Sequence, residues 1–135
     1  MTLGPAVATI EEMQRLKLVE RAAELEPYVR KKLEALKVRH PSVGDVRGLG
    51  LFFAVDLVKN RVTKQPFNTM RDKVEGNPTV VDQIAAKMMA QGVSIQSWIS
   101  HFVIAPPLII TREELDLGTA ALDEHLAVAD ALVEG

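Results

Sequence analysis

The sequence predicts an α+β domain: a small, mainly antiparallel sheet of about three to four strands, covered by helices on one face. Three observations carry that prediction. Leu18, Ala22, Leu25, Val29, Leu33 and Leu36 recur at spacings of three and four, drawing one apolar stripe along a long helix. Two short apolar runs, residues 51–58 and 102–105, are bounded by glycine and proline, as buried strands are. The elements follow in the order helix, strand, loop, helix, strand, strand, helix, which describes a layer of helices on one face of a short sheet.

Taken in order, Met1-Thr2-Leu3-Gly4-Pro5 leads without a cap into Ala6, Val7, Ile10 and Met13, already helical in pattern, so the chain is expected to begin inside an element. The striped helix ends near Arg39, closed by His40-Pro41. Pro27 lies inside it and cannot bond the Ala23 carbonyl, so a kink or a junction of two helices is expected there. Gly44, Gly48 and Gly50 punctuate the approach to the 51–58 strand, and Gly48 and Gly50 imply a bulge or a closely approached backbone. Residues 59–77 are polar and aperiodic and read as a long surface loop.

Asn77-Pro78 reads as a helix start, with Val81, Ile84, Ala85 and Met88 on the inner face and Gly92 as the left-handed residue behind it. Residues 93–98 alternate in period two as a half-buried strand. A tight connection through Ile99-Ser100 leads to the second apolar strand, which Pro106 and Pro107 must end because they remove two ladder donors. Thr111-Arg112-Glu113-Glu114 has the capping-box form. The last helix carries Leu115, Gly118, Leu122, Leu126 and Ala129 on one face down to about Leu132.

Composition narrows the function classes. The 135 residues suffice for one domain, 1–135, and 47% hydrophobic content gives it a core. A net charge of -2 with interspersed signs offers no basic field, so neither nucleic acid nor an anionic membrane is an expected partner. There is no cysteine, hence no disulfide or thiolate metal site, which fits a cytoplasmic setting. No signal peptide is visible, and no apolar stretch approaches the roughly 20 residues that span a bilayer.

The residues with chemistry form no complete active site. His40 and His125 read as surface residues, and His101, opening the second apolar strand beside Trp98, as a structural hydrogen-bonding residue. Gly48-Leu49-Gly50 looks like part of a phosphate loop, but it precedes a strand, so no helix N-terminus awaits an anion. No two histidines share a helix face at metal-ligand spacing, and there is no paired Cys/His set.

Three segments carry a family resemblance: Ala8-Thr9-Ile10-Glu11 with the Leu18 to Ala23 stretch, Val43-Gly44-Asp45-Val46-Arg47-Gly48-Leu49-Gly50-Leu51, and Ala105-Pro106-Pro107-Leu108-Ile109-Ile110-Thr111 with Glu114. Together they resemble the C-terminal part of class III aminotransferases, pyridoxal-phosphate enzymes of fold type I. The resemblance marks Arg47, Gly48, Gly50, Pro106, Pro107, Thr111 and Glu114 as structural motif positions. It implies a small domain that closes a substrate pocket against a large domain at a dimer interface. Pyridoxal phosphate, its lysine and its phosphate cradle would then belong to the missing large domain, so none is expected bound to this chain alone, which would be inactive. Many ω-transaminases of the family place a carboxylate-gripping arginine where this chain has Gln96, so capture by that residue is not expected. Gln96, Trp98 and His101 are the substrate-pocket candidates; Trp98 could equally be packing on the sheet. The implied reaction moves an amino group from an amine or ω-amino acid to a 2-oxo acid. The alternative is a stand-alone binding module built on the same domain.

Overall fold

The computed structural model describes residues 4–134, so the reading of Met1, Thr2 and Leu3 lies outside the described residues. Its elements are α1 (Gly4–Arg15), α2 (Leu18–Arg39), β1 (Val43–Leu49), β2 (Phe52–Asn60), β3 (Gln65–Pro66), α3 (Met70–Glu75), α4 (Val80–Ala90), β4 (Gln96–Trp98), β5 (His101–Ile104) and α5 (Arg112–Asp130). The sheet runs β1-β2-β5-β4, with the two-residue β3 attached to β2, and every pairing is antiparallel. The expected α+β architecture is therefore present. Among the described residues no helix is long and apolar enough to cross a membrane.

Period-two alternation decides which side of the sheet is covered. Val46, Phe53, Val55, Leu57 and Phe102 point to one face and are buried there against α2, α4 and α5. The stripe read from the sequence supplies the helix side: Leu25, Val29, Leu33 and Leu36 from α2, Val81, Ile84 and Met88 from α4, and Leu115, Leu122, Leu126 and Ala129 from α5. The opposite sheet face, turned away from α2, α4 and α5, leaves Leu49, Phe52 and Trp98 exposed.

Two glycines meet separate constraints in the β1–β2 hairpin. A Cβ on Gly48 would strike the Phe52 carbonyl oxygen and the Phe53 ring, so this glycine is required by close approach. Gly50 has φ 59, the left-handed value that the short turn to β2 demands, and its amide donates to Glu26 Oε2 at 2.7 Å. The irregularity in pairing falls at neither residue but between Val43 and Asp45, where the bulge lets Val43 face inward while Asp45 faces out.

Several boundaries differ from the sequence reading. Helix α2 continues through Pro27, and the junction of two helices lies at Lys17, whose φ is 50. Pro27 and Ala23 are both exposed, so water can satisfy the carbonyl that the proline leaves free, while the buried stripe holds both halves to the sheet. The 59–77 segment is not one loop: it forms β3 and then α3, whose first turn is closed by Thr69 donating from its amide and hydroxyl to Asp72 Oδ2 at 2.7 and 2.8 Å. The N-cap of α4 is Thr79, not Asn77, because the Thr79 hydroxyl accepts from the Asp82 amide at 3.1 Å and Pro78 lies outside the helix. Strand β4 spans only Gln96–Trp98. Helix α5 stops at Asp130, two residues before the expected Leu132. Gly92, with φ 85, and the tight turn at Ile99, with φ 55, stand where expected.

Candidate functional site

The register of the sheet brings the sequence-predicted residues together on the uncovered face. Arg47 pairs with Ala54, Ala54 with Val103 and Val103 with Gln96, which makes one row across four strands. The next row is Asp45, Asp56, His101 and Trp98. Directly paired residues project to the same side, so Gln96, Trp98, His101 and Arg47 share one open surface. Sequence periodicity indicated this for Gln96 and Trp98; the placement of Arg47 and the two aspartates needed the pairing.

Charge on this face is largely satisfied internally. The Arg47 guanidinium grips Asp56 with two nitrogens, Nη1 on Oδ2 and Nη2 on Oδ1, and also reaches Asp45 Oδ2 at 3.3 Å. That pairing with Asp56, then with Asp45, raises the Arg47 guanidinium further above its ordinary value. Lys37 Nζ holds Asp45 Oδ1 at 3.0 Å and keeps that carboxyl below the usual range. His101 makes no side-chain hydrogen bond among the described residues, which departs from its reading as a structural bonding residue, and it stands half-buried between Asp56 and Trp98 in its row. Trp98 is 45% exposed on this face. Lys73 Nζ from α3 stands 5.6 Å from its ring centroid.

Beside this face, where β4 and β5 end, lies a groove of about 670 Å³ between α4 and α5. Met88, Val93, Gln96, Pro106, Ile110 and Leu122 help to line it. Glu114 is the ionisable residue of its lining. Gln96 thus serves the groove as well as the open face, whereas Trp98 and His101 are not part of the groove wall.

The Pro106-Pro107 wall is held by a residue that sequence reading missed. Arg21 of α2 donates from Nε to the Leu108 carbonyl at 3.1 Å and from Nη2 to the Ile110 carbonyl at 2.5 Å, with the Ile109 carbonyl at 3.5 Å. These carbonyls have no ladder partner, and one guanidinium fork satisfies them. No local spacing could reveal a contact 87 residues apart. At Thr111 the capping box read from the sequence is formed: Glu114 N donates to Thr111 Oγ1 at 3.2 Å, and Thr111 N to Glu114 Oε2 at 2.8 Å.

Two histidines need correction. His40 is not a surface residue; its Nδ1 lies 2.6 Å from Asp130 Oδ2 and its Nε2 2.7 Å from Asp123 Oδ1, joining the end of α2 to α5. Asp123 and Asp130 are seven residues apart on one helix, two turns on the same side, and that spacing was the available signal. His125 is likewise half-buried, its Nε2 enclosed without a partner among the described residues. Neither ring reaches the open face or the groove.

The class follows from this geometry together with the sequence. The family model for aminotransferase class-III matches residues 4–126, and the chain belongs to that family. It corresponds to the C-terminal part of those proteins. It is 36% identical over 122 residues to the leucine/methionine racemase of Thermococcus litoralis, covering 90% of this chain and 26% of that protein. It is 30% identical to the taurine–pyruvate aminotransferase of Bilophila wadsworthia, covering 96% of this chain and 28% of that one. Among solved structures, the taurine:2-oxoglutarate aminotransferase of Bifidobacterium kashiwanohense, in complex with PLP and glutamate, superposes with a TM-score of 0.83 at 31% identity, over 95% of this chain and 28% of that chain. An S-selective transaminase from an Arthrobacter species gives 0.82 at 30%, over 93% and 28%. The chain spans little more than a quarter of the length of these relatives.

Pyridoxal phosphate, the cofactor the family implies, does not fit the lining of this groove. Its aldehyde requires a lysine and its phosphate a cradle of donors. The groove lining has neither lysine nor arginine, and its ionisable group is an acid. Lys32, Lys37, Lys59 and Lys73 are engaged by carboxylates, and Lys64 by the Gly44 carbonyl.

Proposed function

We propose that this chain acts as the small domain of a pyridoxal-phosphate-dependent aminotransferase. Its open sheet face would meet a large domain that carries the cofactor, the Schiff-base lysine and the phosphate cradle. The reaction is transfer of an amino group from an amine or ω-amino acid to a 2-oxo acid, and the 135-residue chain by itself does not perform it. The observation that carries this reading is the family match across nearly the whole chain, combined with coverage of little more than a quarter of each relative.

Several details support it. The sheet face turned away from α2, α4 and α5 gathers Gln96, Trp98 and His101, the residues proposed to border the substrate pocket. That face also exposes Leu49 and Phe52, apolar groups suited to burial against another body. Arg47 is committed to Asp56 and Asp45, and Gln96 is neutral, so neither offers a free ionic fork to a substrate carboxylate. A donor lacking a carboxylate next to its amine, or one recognised through the large domain, fits this surface best. The relatives named above include a racemase beside the aminotransferases.

Two measurements test the reading. The purified chain is titrated with pyridoxal phosphate, followed by absorbance and by borohydride trapping; a stoichiometric adduct at one lysine would contradict it. In the second, this chain replaces the matching segment of the Bilophila wadsworthia taurine–pyruvate aminotransferase. Pyruvate-dependent activity of the chimera is the expected result, and a folded, cofactor-loaded chimera without activity would sink the proposal.

A further inference from the structure

Asp82, in the first turn of α4, ties three elements together at the β4 edge. Its Oδ1 accepts from Ser97 Oγ at 2.6 Å and its Oδ2 from Lys73 Nζ at 3.2 Å. The same Lys73 ammonium stands over the Trp98 indole at 5.6 Å. Ser97 and Trp98 are neighbours on β4 and project to opposite faces, so one carboxylate reaches the strand from the covered side while its lysine partner reaches round the edge to the open side. Ser97 leads first, followed by Thr79 and Lys73, in holding the Asp82 carboxyl below the ordinary 3.8 despite partial burial.

We infer that Asp82 is a positioning residue for the open face: through Ser97 it anchors β4, and through Lys73 it sets the stance of the Trp98 ring. Among the described residues β4 pairs at three positions and with β5 alone, so its ladder is short. The carboxylate supplies a second attachment. It also spares the Lys73 ammonium from standing alone against an aromatic ring, because the charge is matched on its other side. Helix α3 is consequently drawn against the same edge, which gives the 59–77 segment an ordered role that its composition did not announce. This inference rests on the reading of the open face as a pocket wall for its consequence in the enzyme, but its geometry stands without it.

Trp98 is the single tryptophan of the chain, so its emission reports on this contact without interference. Acrylamide quenching is measured on the full chain for K73M, D82N, K73R and K87M, with far-UV circular dichroism as the check on folding. Lys73→Met and Asp82→Asn are expected to raise the quenching constant roughly twofold by uncovering the ring. Lys73→Arg should restore the protected value, and Lys87→Met, on an exposed position of α4, should leave it unchanged. Unchanged quenching in K73M and D82N with native dichroism overturns the inference. An inactive chimera together with these quenching shifts would remove the pocket reading and leave the latch standing, so the two failures are distinguishable.

Discussion

The β1 side of the sheet and its open face differ in how their exposed groups are used. Along β1 the backbone carbonyls are taken by side chains: Arg30 Nη2 donates to Gly48 at 2.7 Å, Lys64 Nζ to Gly44 at 3.0 Å and Arg61 Nη2 to Val43 at 3.0 Å. Arg30 also lies 5.0 Å from the Phe53 ring centroid, and Glu26 holds both Arg30 and the Gly50 amide. An edge strand with several acceptors already occupied is a poorer template for another strand. On the open face, by contrast, Leu49 and Phe52 are exposed. One region is built to be finished within this chain, the other to be finished by something else. Mutations should therefore act on stability in the first and on association in the second.

The largest effect is expected at Gly48. Its substitution by valine forces a side chain into the Phe52 carbonyl and the Phe53 ring, and backbone cannot give way as a flexible side chain does. A loss of about 3 kcal/mol is expected in urea unfolding. Gly48→Ala should already cost most of it, because the Cβ itself makes the clash. A midpoint unchanged in both variants would show that β1 can shift without penalty.

Arg21→Ala comes next, at about 2 kcal/mol, since it removes a charged donor from carbonyls that have no ladder partner. The expected signature is early hydrogen exchange in the 108–110 segment. Arg21→Lys should recover only part of the loss, because a single ammonium cannot reproduce the two-nitrogen contact with Leu108 and Ile110. Thr111→Ala should cost about 1 kcal/mol through the lost cap, with thermal unfolding as the measurement.

These cases show where sequence reading succeeds. The capping box at Thr111, the close approach at Gly48 and the apolar stripe of α2 are local properties, decided by a few neighbouring residues and a period. The Arg21 clamp, the His40 bridge to Asp123 and Asp130, and the row containing Arg47 depend on residues far apart in sequence, so only the tertiary pairing displays them. The 59–77 segment fails for an intermediate reason. A helix as short as α3 shows too little period to detect, and its cap at Thr69 is no stronger a signal than many serine and threonine residues in loops. The pocket candidates were legible as a strand face but not as neighbours of Asp56 and Arg47.

Acid titration distinguishes the two regions less sharply, but its sign is fixed. The Asp45, Asp82 and Asp123 carboxyls lie below their ordinary 3.8. For Asp45 the main cause is Lys37 and for Asp82 it is Ser97; for Asp123 the upward push of burial is outweighed by bonds from His40 and Arg39. Groups with depressed folded values favour the native state above the unfolded value, and that contribution disappears as pH falls through the folded one. Stability from these carboxylates should thus be level at pH well above 3.8 and decline below it. Urea midpoints taken at descending pH check this, and D82N should flatten part of the decline.

The smallest effect on the chain itself is expected from Leu49→Ser combined with Phe52→Ser, within about 0.5 kcal/mol. Both side chains are exposed, at 79% and 63%, so removing them takes little buried area from the folded state. The same variant should be costly once a large domain covers the face, because burial of apolar surface is worth roughly 25 cal/mol per Å². In the taurine–pyruvate aminotransferase chimera the pair is therefore expected to reduce activity and thermal stability together, while the isolated chain keeps its urea midpoint. A lowered midpoint in the isolated chain would mean that the face is already covered there, by self-association, and a concentration series would then show the midpoint rising with protein. A chimera indifferent to both serines would mean that the large domain docks elsewhere, and the division between a finished edge and an unfinished face would fail at its second half.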